Sequence, residues 1–519
     1  MSTFSTLRRF TVLSLLARYA LCLSVSVPLA APSTAPTLSP SLLSLSIEQD
    51  RWTDWSGTTS RNEFVFNTMN NLVKLTGEPP QFRIGADSED RTDFNPNVQF
   101  VENVFPAPNP TTPYPEASNN IVGDGYYQAA QWLPPNTHVI WGLNLKTNNI
   151  TSAFLNTKSL VKAFSSSAIK RAGITLDFIE IGNEADFYGL SLSDYIQRWT
   201  AFATNVTAAA KLSPSSKTKF YGGAFALSSG TTTGFSPQGL ITNGILSSPA
   251  GALITTMSQH RYSGSFCAGS GGLLQDLMTK STIRSNLTVF NPDIAATRAK
   301  GLDYVLGETN SYACHGAPGV SNTAGAAIWA LDYVLFAPQI GISRVFLHQG
   351  VGYKYSMIQP VALTRSPLDG TTLATPLPAH IQPQYHAALI IAEAIGRSGN
   401  TRAIELSVDD SRTSAYAFYN GKKLARVLLI NSDAFLTTTT TPRTSTQISL
   451  GITGSGAPKK MTVKRLSIPF ADSTSGLTWG GQTYETSNGK VSGTLKTTTV
   501  DVSAGVSIQQ TEVILLTFY

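Results

Sequence analysis

Eight short apolar segments, separated by amphipathic or loop-like stretches, dominate the first 380 residues of this chain. Strands that are buried on both faces of a parallel sheet read as continuous apolar runs of this kind. Eight such strands with connecting helices make a closed (β/α)8 barrel. We therefore predict a (β/α)8 barrel over residues 41–380, with strands at 42–47, 81–84, 138–145, 178–181, 220–225, 253–259, 304–307 and 343–347.

The pattern changes near residue 381. A helix candidate at 385–395 precedes segments in which apolar and polar residues alternate, at 403–408, 413–419, 423–430, 461–468 and 512–518. Asn420-Gly421 and Asn488-Gly489 are typical two-residue hairpin turns. We predict an antiparallel β-sandwich over residues 381–519, with the first helix closing the barrel.

The N-terminus has the features of a secretory leader. Arg8 and Arg9 precede an apolar stretch that is too short to span a bilayer but suits a signal peptide. We predict a signal peptide at 1–22, followed at 23–40 by a strand and linker that pair with the sandwich. No later apolar run approaches about 18 residues, so we expect no membrane span.

Composition also favours an extracellular protein. Only 13% of the 519 residues are charged, which leaves the surface to Ser, Thr, Asn and Gly. The 38 basic and 32 acidic residues are scattered, so we expect no nucleic-acid partner. Asn149, Asn205 and Asn286 each begin an N-x-T sequon and are predicted glycosylation sites.

Two cysteines remain once the leader is removed. Cys267 and Cys314 each follow a predicted strand end, and those two strands are neighbours in the barrel. In an oxidising compartment they predict a disulfide between two active-site loops, with a pair of free thiols as the alternative. Without CxxC spacing they do not make a zinc site, and we expect no metal.

Two glutamates stand at the ends of predicted strands. The fourth strand runs into Asn183 and Glu184, and the seventh runs into Glu308. Because strand ends converge at one mouth of a barrel, these carboxyls are the pair that a glycosidase needs. The alternative is that each is an ordinary polar residue at a strand end.

The segments SLLSLSIEQDRW, IEIGNE, LGETNS and HQG resemble glycoside hydrolase family 79, the β-glucuronidase and heparanase family, and above all its fungal members. The likeness covers essentially the whole mature chain. It implies Glu184 as the general acid/base, Glu308 as the nucleophile, retention of configuration and no cofactor. A general acid must hold its proton near neutral pH, so we expect the nearby second carboxylate to raise the pKa of Glu184.

The resemblance also implies a set of sugar contacts. Asn183 is expected to bond the 2-hydroxyl, although it could instead cap the following helix. Tyr262 is expected to donate a hydrogen bond to Glu308, although a tyrosine at a strand end often packs in a core. Candidates for the glucuronate carboxylate and hydroxyls are Glu48, Gln49, Tyr312, Gly316, His348 and Tyr355, with a core histidine as the alternative for His348.

These features predict a secreted, retaining exo-β-glucuronidase that removes terminal glucuronate, 4-O-methylated or not, from polysaccharides or proteoglycans. One rival is an endo-acting, heparanase-like enzyme, which should line its cleft with Lys and Arg for sulfates. The candidate loops offer few basic residues beyond Arg83, Arg91 and Arg261. The others are a non-catalytic carbohydrate-binding wall protein and an enzyme for another sugar.

Overall fold

The computed structural model describes residues 22–519, so the predicted leader lies outside the described residues apart from Cys22. The N-terminal strand and the strands of the barrel region are β1 (Cys22–Ser26), β2 (Leu43–Glu48), β3 (Phe82–Gly85), β4 (Thr92–Phe94), β5 (Val101–Val104), β6 (Asn119–Val122), β7 (His138–Leu143), β8 (Thr175–Ile181), β9 (Lys219–Phe225), β10 (Ile254–Ser265), β11 (Asp303–Ala313), β12 (Val345–Gln349), β13 (Ile358–Gln359), β14 (Leu363–Arg365), β15 (Thr372–Leu377) and β16 (His380–Ile381).

Eight of these strands form a closed parallel barrel, as predicted. Around the ring the order is β2, β3, β7, β8, β9, β10, β11 and β12. The pairing of β12 with β2 closes the ring, with Val345 opposite Leu43 and Gln349 opposite Ile47. Every residue of β2 is buried, as expected for a strand covered on both faces.

Helices surround the barrel, and many begin and end at residues with a clear local cause. Asn62 caps α2 by accepting a hydrogen bond from the Val65 amide, and Gly77 ends α2 in the left-handed conformation. Asn149 and Ser191 cap α4 and α6 in the same way. The helices are α1 (Trp52–Ser56), α2 (Glu63–Thr76), α3 (Asp124–Gln128), α4 (Ile150–Phe164), α5 (Ser167–Arg171), α6 (Leu192–Ala210), α7 (Pro237–Thr242), α8 (Leu274–Met278), α9 (Lys280–Thr288), α10 (Asn291–Ala299), α11 (Ala324–Phe336) and α12 (Tyr385–Ile395).

The C-terminal region is the predicted antiparallel sandwich. One sheet has the order β17, β18, β19, β25, β21, β22, with β23 also pairing with β21, and the other has the order β1, β20, β24. The N-terminal strand β1 therefore lies parallel to β20 within the sandwich. The strands are β17 (Thr401–Leu406), β18 (Thr413–Asn420), β19 (Lys423–Asn431), β20 (Ser445–Gly451), β21 (Lys460–Ser467), β22 (Thr478–Trp479), β23 (Thr498–Asp501), β24 (Val506–Gln509) and β25 (Glu512–Phe518).

The larger sheet uses its two faces differently. Ala415 and Ala417 of β18 face the smaller sheet in one apolar cluster with Val25. The alternate residues Tyr416 and Phe418 belong to the main core of the barrel. Because side chains alternate along a strand, one sheet can bury both faces and join the two domains.

Two sequence predictions need correction here. The sixth and seventh barrel strands extend to Ser265 and Ala313, well beyond the predicted ends, because they pair with each other over that length. The predicted hairpin at Asn488-Gly489 is a turn without flanking strands, and its neighbourhood has only one bridge, Thr483 to Ser492.

None of the helices in the described part of the chain has the length and apolar character needed to cross a membrane.

A polar network connects the barrel helices to the sandwich. Arg284 on α9 donates hydrogen bonds of 2.7 and 2.8 Å to the carboxylate of Asp332 on α11. Tyr416 of β18 donates to the same carboxylate at 2.5 Å, and Ser414 at 3.0 Å. The Asp332 side chain is only 2% exposed, so its charge depends on these partners.

We predict that Asp332→Ala lowers the free energy of unfolding by about 1–3 kcal/mol, because Tyr416, Ser414 and Arg284 lose a buried acceptor. Arg284 keeps its ion pair with Glu405 at 2.6 Å, so its charge is not left unpaired. Denaturant unfolding followed by fluorescence measures the change. The matched control is Asp303→Ala, which removes the partner of Arg298 in an exposed ion pair. It should cost no more than about 1 kcal/mol. Equal losses in the two variants would contradict the prediction.

Candidate active site

Glu184 lies on a strained turn at the end of β8. Gly182 has φ of 82° and Glu184 has φ of 48°, so the backbone turns sharply after Ile181. A non-glycine residue in the left-handed region costs free energy and is held by its surroundings. Here the Glu184 amide donates to the Ala224 carbonyl at 2.8 Å, which fixes the carboxyl at the barrel mouth.

Glu308 lies within β11, directly opposite His260 of β10. The hydroxyl of Tyr262, two residues along β10, donates to Glu308 Oε1 at 2.7 Å. The predicted contact between Tyr262 and Glu308 is therefore present. The Glu308 side chain is only 7% exposed, whereas that of Glu184 is 24% exposed. The two carboxyls thus occupy different depths of one site.

The guanidinium of Arg83 holds the inner part of this site together. Its Nη1 donates to Glu308 Oε2 at 2.8 Å, and its Nη2 donates to Asn183 Oδ1 at 2.7 Å. Its Nε donates to Glu180 Oε1 at 2.7 Å. Arg83 is completely buried, so three strands and the turn after β8 are connected through one side chain.

The two glutamates lie close together but differ in pKa. Carboxylate oxygens of Glu184 and Glu308 lie within 4.8 Å of each other. Burial, and then the negative charge of Glu308, raise the pKa of Glu184 well above its usual value. Burial opposes ionisation of Glu308 too, but the charges of His348 and Arg83 and the hydrogen bond from the Tyr262 hydroxyl outweigh it and lower its pKa. One carboxyl therefore keeps its proton while the other is a carboxylate.

His348 supplies positive charge between two carboxylates. Its Nε2 lies 3.2 Å from Glu48 Oε1 and its Nδ1 lies 3.9 Å from Glu308 Oε2. Burial alone would lower its pKa, but the charges of Glu308 and Glu48 raise it to about 9. Ser88 fixes Glu48 in turn through both its amide and its hydroxyl. His348 is thus an imidazolium at neutral pH.

His260 behaves in the opposite way. Burial lowers its pKa to about 4, so the ring is neutral, and Nδ1 lies 2.9 Å from Glu184 Oε1. A neutral imidazole can accept from protonated Glu184 or, as the other tautomer, donate to the ionised form. Glu184, His260 and Glu308 are also the residues that could hold a metal ion. Arg83 and His348 already lie beside Glu308 and balance its charge.

A cavity of about 470 Å³ opens above the two glutamates. This volume lies within the range of small-molecule sites, about 300–1,000 Å³. Of the predicted catalytic and sugar-binding residues, the structure brings six to the cavity wall: Glu48, Glu184, Tyr262, Glu308, His348 and Tyr355.

The other four predicted sugar contacts do not line this cavity. Gln49 is buried below it, where its amide donates to the carbonyls of Ile84 and Gly142. The Tyr312 ring packs against the backbone at Gly264 and Gly272. The structure therefore does not bring Gln49 and Tyr312 to the cavity, because alternation along a strand and the turn after it point these side chains away from the mouth.

Asn183 and Gly316 are the other two. Asn183 is 3% exposed, and Arg83 donates to its amide oxygen. It does not cap the short helix that follows, because Glu184 occupies the cap position. Gly316 packs against Ser321 and the Tyr355 amide, and its place at the cavity is taken by Cys314 and His315.

The long loop after β3 supplies one wall of the cavity, as expected for a loop of this length. Its Glu116 accepts hydrogen bonds from His315 Nε2 at 2.6 Å and from the Tyr353 hydroxyl at 3.1 Å. The His315 ring stacks on Tyr353 with centroids 3.8 Å apart. Burial opposes ionisation of Glu116, but His315 and the hydrogen bonds from His315 and Tyr353 outweigh it and lower the pKa of Glu116 to about 2. Asp87 of the same loop also lines the cavity.

A disulfide joins Cys267 to Cys314 with an S–S distance of 2.04 Å, as predicted. It connects the segments that follow β10 and β11, and both cysteines line the cavity. The bond therefore fixes two loops of the site relative to each other.

Comparisons with known proteins identify this architecture. Residues 415–515 match the family model described as the glycosyl hydrolase family 79 C-terminal beta domain. A β-glucuronidase of Aspergillus niger is 28% identical over 494 residues, covering 89% of this chain and 86% of the relative. A β-glucuronidase of Neurospora crassa is 26% identical over 515 residues, covering 88% and 87%. The resemblance of the chain to glycoside hydrolase family 79 is confirmed.

A solved structure agrees with this resemblance. The 4-O-α-L-rhamnosyl-β-D-glucuronidase of Fusarium oxysporum 12S, in a Rha-GlcA complex, superposes with a TM-score of 0.77 at 25% identity. The match covers 95% of this chain and 100% of that one. The family 51 arabinofuranosidase of Xanthomonas axonopodis pv. citri, at 13% identity and a TM-score of 0.62, shares the fold.

Several residues of the site were not predicted from the sequence. Arg83 and Glu180 each interrupt an apolar barrel strand. A charge in a strand buried on both faces must face the barrel interior and find a partner there. That rule would have paired Arg83 with Glu180. Glu89, Glu116 and Asp87 come from the loop after β3, which has no periodic pattern to predict their direction.

Glu89 is a further buried carboxyl beside Arg83. Burial, and then the charge of Glu180, raise its pKa well above the usual value, so it keeps its proton. A Cβ at Gly142 would come within 1.7 Å of Glu89 Oε2. Only glycine therefore leaves room for this carboxyl in the barrel interior.

The three sequons differ in exposure. Asn149 is exposed, and Asn205 is half-buried on α6. Asn286 is buried, with its amide oxygen accepting from Arg261 at 2.7 Å and its amide nitrogen donating to the Thr282 carbonyl at 3.1 Å. Burial and these two contacts disfavour a glycan at Asn286.

We predict that Glu308→Gln lowers the pKa of Glu184, because the substitution removes a negative charge that raises it. Carbon-13 NMR of the glutamate carboxyls across a pH titration measures the shift. Glu63→Gln removes an exposed carboxyl far from the site and should leave the Glu184 titration unchanged. An unchanged or raised pKa in Glu308→Gln would refute the proposed coupling.

Proposed function

We propose that this chain is a secreted, retaining exo-β-glucuronidase that removes terminal glucuronate, 4-O-methylated or not, from polysaccharides or proteoglycans. The single observation that carries the mechanism is the pair Glu184 and Glu308, with oxygens within 4.8 Å and opposite pKa shifts. Carboxyl groups about 5–5.5 Å apart belong to retaining enzymes, whereas inverting enzymes need about 6.5–9.5 Å.

In this proposal the chemistry takes two displacements. Glu184 gives its proton to the glycosidic oxygen while Glu308 attacks C1, so the C1–oxygen bond to the leaving group breaks and a bond to Glu308 forms. Glu184, now ionised, then removes a proton from water, which attacks C1 and releases Glu308. Arg83, Tyr262 and His348 favour the charged form of Glu308 before attack and after release.

The glycone pocket follows from the same residues. Glu48 and His348 lie beside Glu308 at the inner end of the cavity and can bond the sugar's hydroxyls. We place the glucuronate carboxylate against the Tyr355 hydroxyl and the loop Cys314-His315, instead of the predicted Tyr312 and Gly316. This arrangement uses hydroxyl and backbone donors in place of an arginine fork.

The charge of the cavity argues against a sulfated glycosaminoglycan as substrate. Five carboxyl side chains line it, those of Glu48, Asp87, Glu116, Glu184 and Glu308. Among the described residues of its wall, Arg261 alone carries an Arg or Lys side chain. Protonation of Glu184 and the positive charge of His348 beside Glu48 reduce the negative charge enough for one carboxylate. A chain of sulfates would face net repulsion.

A panel of aryl β-glycosides tests the proposal. We expect the glucuronide to be hydrolysed at least about a hundredfold faster than the galactoside and xyloside, and the first anomer seen by NMR to be β. Glu308→Gln is the control for background hydrolysis. If no glycoside is hydrolysed above that control, the chain is a carbohydrate-binding protein on an enzyme fold.

We predict that Glu184→Ala spares substrates with very good leaving groups. A weakly basic leaving group needs little protonation, so its first step loses little when the acid is removed. The loss of kcat/KM should therefore be at least about a hundredfold smaller for a dinitrophenyl glucuronide than for a natural disaccharide. Equal losses on both substrates would mean that Glu184 is not the acid.

Secretion and glycosylation form a separate part of the proposal. The leader at 1–22 and the exposed sequon at Asn149 favour export with at least one glycan. Expression in a fungal host should give a protein whose N-terminus begins near residue 23, and Asn149→Gln should remove one glycan by mass spectrometry. Retention of the intact N-terminus in the cell would refute the secretion proposal.

A further inference from the structure

Two large apolar side chains stand exposed at the mouth of the catalytic cavity. Phe187 is 64% exposed and Leu227 is 56% exposed, and both line the cavity wall. Exposed apolar groups that border a cleft commonly mark where a ligand binds. The mechanism described above uses neither of them.

Both side chains belong to the acid/base side of the cavity. Phe187 ends the short 3-10 helix Ala185–Phe187, and its amide donates to the Glu184 carbonyl at 2.9 Å. Leu227 follows β9, whose Ala224 carbonyl accepts from the Glu184 amide. Any group that receives the proton of Glu184 therefore lies next to these two side chains.

Asp186 holds the two segments together. Its carboxylate accepts hydrogen bonds of 3.1 Å from the amides of both Ala226 and Leu227. Phe187 is the next residue in the chain, so one carboxylate fixes both apolar groups in relation to Glu184. The exposed patch is thus built on a defined backbone and is not a loose loop.

The opposite wall of the cavity is polar. Glu48, His348 and Tyr262 surround Glu308, whose side chain is only 7% exposed, and they provide charged and hydroxyl groups for the glycone. Glu184 is the more exposed of the pair at 24%, so the cavity opens on its side. The acid protonates the oxygen of the leaving group, which places the leaving group on that open, apolar side.

We propose that Phe187 and Leu227 form the leaving-group subsite, and that it takes leaving groups with a flat apolar face. An aromatic ring and the apolar face of a pyranose share this chemistry, and both can stack on Phe187. This inference rests on the proposed function, since it concerns the same site.

Glucuronyl transfer to an added acceptor provides a direct readout. When benzyl alcohol replaces water in the second step, its hydroxyl proton goes to Glu184, its oxygen bonds to C1, and the bond from C1 to Glu308 breaks. The acceptor must bind in the leaving-group subsite, so the ratio of benzyl glucuronide to free glucuronate reports that subsite alone.

We expect Phe187→Ala to lower kcat/KM about tenfold for 4-nitrophenyl and galactosyl glucuronides but less than about twofold for methyl glucuronide. The ratio of benzyl glucuronide to free glucuronate should also fall about tenfold in Phe187→Ala. The Phe187→Tyr variant keeps an aromatic ring and should retain the wild-type kcat/KM values and transfer ratio. Leu227→Ala should act in the same direction. Leu273→Ala removes an equally exposed leucine, 69% exposed, that does not line the cavity, and should change nothing.

The outcomes separate the subsite from the wider proposal. Loss on the aryl substrate only would restrict the leaving group to aromatic rings, and loss on the galactosyl substrate only would restrict it to pyranoses. Equal losses on all three substrates, or an unchanged transfer ratio, would overturn the subsite. If the wild type hydrolyses no glucuronide, the proposed function fails. In that case, saturation-transfer NMR of 4-nitrophenol with the Glu308→Gln protein tests the subsite directly. The 4-nitrophenol signal must disappear when Phe187→Ala is added to Glu308→Gln; if it persists, the subsite is overturned.

Discussion

The catalytic end of this barrel depends on the buried guanidinium of Arg83. It donates to Glu308, Glu180 and Asn183, and so ties β11 and β8 to β3 at the level where the glutamates meet. A buried charge is stable only when its partners are in place, so the same contacts that satisfy Arg83 also aim Glu308 into the cavity. The position of Glu308 is therefore set by contacts within the protein before any substrate binds.

The difference between the two glutamates comes from where positive charge is placed. His348 and Arg83 lie beside Glu308, and Tyr262 donates to it, so this carboxyl ionises despite its burial. Glu184 faces the resulting negative charge, with neutral His260 at hydrogen-bond distance, and keeps its proton. Two chemically identical side chains thus acquire different pKa values through their neighbours, as the proposed acid and nucleophile require.

The second domain contributes to the site without lining it. The sandwich shares the main apolar core with the barrel through Tyr416 and Phe418, and it binds Asp332 of α11 through polar contacts. The N-terminal strand β1 lies in the sandwich, so the chain runs from the sandwich into the barrel and back. This arrangement stabilises the barrel from outside, while the loops at its open end remain available to form the cavity.

The sequence by itself determined the order of elements and singled out Glu184 and Glu308. Apolar runs and alternating segments predicted the barrel and the sandwich, because burial on two faces or on one leaves a distinct period in the sequence. Tertiary structure decided the rest of the site. Arg83, Glu116 and His260 act through partners from distant strands, and Gln49 and Tyr312 turn away from the mouth. No local sequence pattern encodes the distances between these residues and their partners. The difference in pKa between Glu184 and Glu308 depends on those distances.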